Sequence, residues 1–217
     1  MNFLLESEYM PRLLKHYPSV IIAPEAISDK LSFPALFGRE GPVHVEIGSG
    51  KGTFIVNQAK AQPEVDFLGI EWASKYYRYA VDRVGRWALK NIRLLRADAA
   101  VFLAEHISDQ SVSCIHLYFP DPWPKKRHHK RRFVNQANIE HVHRILVSGG
   151  VFKMATDHAE YFEQMQAVLH QNASRFEIVE FLPTAGAKTG EWVGTNFERK
   201  YLKEERSVFT LAAAKKQ

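Results

Sequence analysis

A single cysteine, Cys114, stands in 217 residues. No disulfide can form within the chain, and a reducing compartment such as the cytoplasm suits it. No stretch approaches the roughly 20 apolar residues that a membrane-spanning helix needs, so no membrane partner is expected. The amino end, MNFLLESEYMPRLLKHYPSVIIAP, places Glu6 and Glu8 where a secretory leader would be basic and then apolar. Internal repeats, low-complexity tracts and Pro/Gly-rich linkers are missing too, which argues for one domain rather than a string of small ones. The hydrophobic content of 46% is enough for a full core at this length.

What is present in excess is positive charge, and it is local. Lys125, Lys126, Arg127, Lys130, Arg131 and Arg132 lie within eight residues, and taking those six charges from the net +5 leaves −1. A charge run is most often a solvated face. This one, however, follows Pro120-Asp121-Pro122-Trp123-Pro124, a stiff segment that fixes one carboxylate between two prolines.

The rest of the chain alternates. VHVEI (43–47), VDFLGIEW (65–72), NIRLLRADA (91–99), SVSCIHLYF (111–119), GGVFKMATD (149–157), FEIVEFLP (176–183) and SVFTLAAAK (207–215) read as strands. Helical spacing occupies the intervals, as in TFIVNQAKAQ, SKYYRYAVDRVGRWALK and FVNQANIEHVHRILV. Such alternation predicts an α/β fold with a mostly parallel sheet covered on both faces. Residues 1–40 form an N-terminal arm outside the pattern, and 41–217 form one domain.

In a sheet of this kind ligands gather at the carboxyl ends of the strands. Glu46-Ile47-Gly48-Ser49-Gly50-Lys51-Gly52 sits there after the first strand, with Gly48 and Gly50 letting the backbone approach a ligand. Glu71 ends the second strand, where a carboxylate can accept from ribose hydroxyls, and Asp98 ends the third, within reach of an adenine amino group. The loop is neither a phosphate loop nor the dinucleotide fingerprint. Glu46 would repel a pyrophosphate and attract an ammonium or sulfonium, which favours S-adenosylmethionine.

The segments EIGSGKG, GIEW, RADA, PDPWPKKRHHKRR, ATD and TNFE, in this order, resemble the bacterial tRNA (guanine-N7-)-methyltransferase family from about Val43 to Leu211. The resemblance implies a seven-stranded, Rossmann-like methyltransferase fold. It also implies S-adenosylmethionine as donor, no metal, and methylation of a guanine in the tRNA variable loop to 7-methylguanosine, with S-adenosylhomocysteine released. Cofactor contacts would fall on Glu46, Glu71, Asp98 and Asp121, with Asp121 also catalytic. Contacts to tRNA or guanosine would fall on Lys125, Asp157 and the segment Thr195, Asn196, Phe197 and Glu198. The RNA-binding stretch would be Arg127 to Arg132, which includes Lys130 and Arg131. Two positions depart from the family: Asn196 stands where a basic residue is usual, and Trp72 replaces an aliphatic one.

Guanine N7 is an exposed lone-pair acceptor, so methylating it removes no proton and needs no strong base. It needs placement and carboxylates that tolerate positive charge. Asp121 is expected to orient and stabilise, the basic block to grip phosphates, and Asp157 or Glu198 to accept from guanine N1–H and N2. Trp123 fits packing or base stacking, and Asp157 also fits a helix cap. His44, His116 and His158 show no metal-ligand spacing, and Cys114 reads as a buried structural thiol. A methyltransferase acting on a small molecule or protein would have no use for residues 125–132. A non-catalytic RNA-binding module would not bind the donor. Monomer and homodimer both fit.

Overall fold

Short β-branched runs separated by helix-length amphipathic ones wind a sheet. The computed structural model, which describes residues 13–23, 27 and 29–217, gives its order. The strands are β1 (Ile21–Ile22), β2 (Val43–Ile47), β3 (Asp66–Ile70), β4 (Ile92–Leu95), β5 (Val112–Tyr118), β6 (Leu146–Thr156), β7 (Phe176–Val179) and β8 (Phe209–Lys215). They lie in the order β1-β4-β3-β2-β5-β6-β8-β7. All pairs from β1 to β6 are parallel, and β8 runs antiparallel to both of its neighbours.

The helices are α1 (Phe33–Phe37), α2 (Thr53–Ala61), α3 (Ser74–Trp87), α4 (Ala99–His106), α5 (Gln136–Ile145), α6 (Ala159–Gln171) and α7 (Asn196–Lys203). One face of the sheet packs Phe102, Leu103, Ile139, Val142, Tyr161 and Met165 from α4, α5 and α6. The other packs Ile55, Val56 and Ala59 of α2 and Ala80, Val81 and Val84 of α3. Both faces are therefore covered, as a parallel sheet requires.

The sheet has eight strands where the family resemblance implies seven, and the addition comes from the expected arm. Ile21 and Ile22 pair with Leu94 and Leu95, and Val20, Ile22 and Phe33 are buried. Residues 1–12, 24–26 and 28 of that arm lie outside the described residues. The arm also explains a glycine inside α3, where it costs about 1 kcal/mol relative to alanine. Tyr17 lies flat on Gly85, so close that a Cβ there would come within 2.0 Å of its ring. Lys15 N–H donates to Asp82 on the same helix.

Chain direction reverses its march across the sheet at β2, which has β3 on one side and β5 on the other. The crevice above the carboxyl ends of β2 and β5 is the expected ligand position for this topology. Beyond the arm, two further elements went unread in the sequence. The basic block curls into a 3-10 turn, Lys126–Arg131, and residues after Thr195 form α7.

Candidate active site

The glycine loop is built around left-handed backbone. Gly48, Gly50 and Gly52 have φ of 76°, 54° and 71°, a region that a Cβ makes costly. A Cβ on Gly48 would meet nothing within 4 Å, and one on Gly50 only the Gly48 carbonyl at 4.0 Å. That side of the loop is open to a ligand. Gly52 differs, because a Cβ there would press within 3.2 Å of Ala80, where α3 crosses the loop. Gly48 N–H and Ser49 N–H both donate to Ile70 O, which ties the loop to the end of β3.

Three sequence-predicted acids surround this loop. Glu71 is 8% exposed, and its two oxygens accept from Gly50 N–H at 2.8 Å and Ala73 N–H at 2.7 Å. The carboxylate therefore holds loop and helix start together and keeps second lone pairs for a ligand. Asp98 is exposed and caps α4, its Oδ1 accepting from Ala100 and Val101 N–H, while Oδ2 takes no part in the cap. Glu46 is 5% exposed, and its Oε2 is buried with no hydrogen-bond partner. Burial, and then the charge of Glu71, hold the Glu46 carboxyl well above the usual carboxylate range. The Ser49 hydroxyl in the loop is orphaned in the same way. Sequence reasoning passed over Ser49, although its place between two glycines was the available signal.

A buried Glu46 oxygen without a partner, an orphaned hydroxyl and an open cradle are what a cationic, hydroxyl-bearing ligand would satisfy. The residues fit S-adenosylmethionine: Glu46 for its positive end, Glu71 for the ribose, Asp98 for the base.

Asp121 stands across the crevice after β5. It is exposed, and among the described residues its side chain makes no hydrogen bond or ion pair. Phe119 and Trp123, two residues either side, have φ of 51° and 45°. Positive φ at bulky side chains is strained and clusters at functional sites. Trp123 is half-buried and packs edge-on against His128, with the Arg131 guanidinium 4.8 Å over its ring.

The basic block divides. Lys125, Lys126, Arg127, Lys130 and Arg131 are exposed, whereas Arg132 is 1% exposed. Arg132 donates through Nε to Pro122 O at 2.7 Å and through Nη1 to Gln164 at 2.8 Å, with its guanidinium 5.0 Å over the Tyr161 ring. Its Nη2 lies 3.6 Å from Glu160. The expectation that Arg132 contacts RNA is corrected by its burial: Nε and Nη1 fix the Pro-Asp-Pro segment to α6, while Nη2 has no hydrogen-bond partner.

Segment 195–198 divides as well. Thr195 is buried and caps α7, accepting from Glu198 N–H at 3.0 Å. Glu198 is 0% exposed and accepts from the N–H groups of Trp192, Val193 and Gly194. Those bonds turn Glu198 inward onto residues 192–194, whereas the Thr195 hydroxyl, which accepts from Glu198, keeps its proton to donate. Asn196 and Phe197 stay exposed. Asn196 bridges to Thr53 at the start of α2 at 2.9 Å, which seats α7 beside the glycine loop. Asp157 is partly buried and ion-paired to Arg206. The cap of α6 expected of Asp157 is made instead by His158, whose Nδ1 accepts from Tyr161 N–H.

Parallel register also assembles what spacing hid. His44 on β2 stands opposite Cys114 on β5, and His44, Cys114 and His116 bring ligand-type atoms within 4.8 Å of one another. They form a hydrogen-bonded chain, His44 Nδ1 to His116 Nε2 at 3.2 Å and His116 Nδ1 to the Tyr118 hydroxyl at 2.8 Å. Burial and then the Lys153 charge lower the His44 pKa to about 4, while burial pushes Cys114 up to about 12. The same cation opposes a bound metal, so the cluster reads as a neutral floor beneath Glu46.

This sheet order with a donor cradle at its switch point defines a Rossmann-like, S-adenosylmethionine-dependent methyltransferase. The fold alone is shared with a solved 16S rRNA methyltransferase, KamB, at a TM-score of 0.63 and 14% identity, covering 85% of this chain and 93% of that one. A family model described as a putative methyltransferase matches residues 40–211. A tRNA (guanine-N(7)-)-methyltransferase of Alkalilimnicola ehrlichii is 40% identical over 187 residues, 86% of this chain and 78% of that protein. One from Streptococcus thermophilus is 32% identical over 201 residues, 93% and 92% of the two chains. The chain belongs to the tRNA (guanine-N7-)-methyltransferase family.

Proposed function

We propose that this chain methylates N7 of a guanine in the variable loop of tRNA, in the cytoplasm, with Asp121 as its catalytic residue. The observation that carries the reading is the place of Asp121: an unpaired carboxylate between a buried acidic cradle and an exposed basic turn. S-adenosylmethionine, when bound, would supply an electrophilic methyl: the N7–CH3 bond forms as the S–CH3 bond breaks, giving cationic 7-methylguanine and S-adenosylhomocysteine.

Glu46 holds the positively charged end of the donor, Glu71 the ribose and Asp98 the base. Asp121 faces charge that moves from sulfur to purine, so it stabilises and orients without taking a proton. Asp157, fixed by Arg206, accepts from guanine N1–H and N2. Lys125, Arg127, Lys130 and Arg131 hold phosphates while the base leaves its stack, an opening that costs a few kcal/mol. Asn196 and Phe197 border the crevice from α7.

Labelled donor and unmodified tRNA, followed by aniline-type cleavage at methylated guanine, test the reaction. In Asp121→Asn the turnover should fall about 10²–10³-fold while the melting temperature holds. Near-normal turnover in that variant would remove Asp121 from the chemistry.

A further inference from the structure

Helix α3 has an outward face that the site above does not use. Its inner side meets the sheet through Ala80, Val81 and Val84, and the arm covers Gly85 and Asp82. Outward stand Trp72 just before the helix, Tyr76, Tyr79 and Trp87, which are 68%, 45%, 38% and 53% exposed. They are four of the six exposed large aromatics among the described residues, and steps of three and eight residues keep Tyr76, Tyr79 and Trp87 on one side of the helix, with Trp72 two residues before its start. A contiguous exposed aromatic stripe marks an interaction surface.

The charge on this face identifies the partner. Lys75, Arg78 and Arg86 are exposed on the same helix. The only acid from Trp72 to Lys90 is Asp82, which is 2% exposed and bound to Arg86. Neighbouring elements add cations: Lys51 of the glycine loop lies 5.2 Å over the Tyr79 ring, and Lys60 of α2 lies over Trp87. Flat rings interleaved with cations and free of acid suit the stacked bases and phosphates of unpaired RNA. The stripe also begins at the pocket. Trp72 directly follows Glu71, and α3 crosses Gly52 at contact distance. At 1.5 Å per residue it runs about 21 Å away from the crevice.

We infer that the aromatic–basic face of α3 is a second RNA-binding surface, on which unpaired nucleotides of the tRNA stack beside the donor cradle. It rests on the tRNA reading above and extends the grip to the side opposite residues 125–131.

Two double variants test it, Tyr76→Ala/Trp87→Ala and Lys75→Ala/Arg78→Ala. Both alter exposed side chains, and an unchanged melting temperature should confirm that they fold. The aromatic pair should raise KM and Kd for tRNA about tenfold or more, since one stacked base alone is worth about that factor. Donor affinity and kcat at saturating tRNA should hold. The charge pair should lower the slope of log Kd against log salt by roughly 1 to 2. Ultraviolet cross-linking should place RNA on the peptide carrying Tyr76. The inference is overturned if wild type methylates tRNA and the aromatic pair leaves its KM within twofold. It is equally overturned if that pair shifts only the sedimentation coefficient, which would make the face a contact between copies. Wild-type protein that binds tRNA through these residues yet never methylates it would sink the functional reading and leave the surface standing.

Discussion

The acidic cradle and the basic turn are built in opposite ways. Glu46 and Glu71 are buried, and Glu71 is pinned by two backbone amides. Lys126, Arg127 and Lys130 are exposed on a single 3-10 turn, with exposed Lys125 at its start. An acid that must face one atom of a ligand gains from being fixed in advance, because the ordering cost is met during folding. Cations that hold a polyanion need only be near it, since phosphate contacts carry no sequence information. One residue crosses between the two designs. Arg132 belongs to the basic run in sequence and to the rigid half in space.

Arg132 therefore offers the largest effect. Removing its side chain leaves Pro122 O and Gln164 without their donor and empties a buried volume beside Tyr161. Arg132→Ala should lose about 3 kcal/mol or more of stability, read from chemical denaturation. Arg132→Lys separates the two designs. If the residue served RNA by charge, lysine would rescue it; because a two-sided fork is required, lysine should lose nearly as much stability as alanine. A lysine variant with wild-type stability and tRNA affinity would break the distinction.

Glu46 tests the rigid half from the other side. Its carboxyl titrates well above the ordinary 4.5 because of burial and then Glu71. The folded donor-free protein thus holds a proton that the unfolded chain gives up. Below the ordinary value both states are protonated and nothing is lost. As pH rises past it, this group costs stability until its own folded pKa is reached. A bound cation reverses the preference, so donor affinity should rise with pH across that window and binding should release a proton. Glu46→Gln should weaken donor binding about 100-fold, from a charged hydrogen bond worth about 2–3 kcal/mol, and flatten its pH dependence. Calorimetry in two buffers of different ionisation heat reads both. A glutamine variant that keeps the pH dependence would move the proton elsewhere.

The sequence carried the frame of this site well, since strand ends and glycines are local signals. Glu46, Glu71, Asp98 and Asp121 lie where alternation places them, at the carboxyl ends of four strands. What escaped was set by burial across long separations. Nothing near Arg132 says that Gln164 and Tyr161 will enclose it, and nothing near Glu198 says that three amides from 192–194 will turn inward to meet it. The chain His44–His116–Tyr118 arises from register between β2 and β5, which spacing along one strand cannot reveal. Strand β1 was missed because two residues carry too little periodicity to read.

The smallest expected effect lies in the exposed half. Lys130 and Arg131 can be replaced by alanine without opening the core, since neither is buried. Arg131 loses only its place over Trp123, a contact worth about 0.5–1 kcal/mol at an exposed site. Each lost phosphate contact should lower the slope of log Kd against log salt by about 0.7 to 0.9. The double variant should then bind tRNA several-fold more weakly at low salt and converge on wild type as salt rises. Its donor affinity and its turnover at saturating tRNA should hold. The contrast with Arg132→Lys is decisive, because one substitution removes charge and spares the fold while the other keeps charge and harms it. An unchanged salt slope in Lys130→Ala/Arg131→Ala would take the turn off the RNA and leave α3 as the surface that grips it.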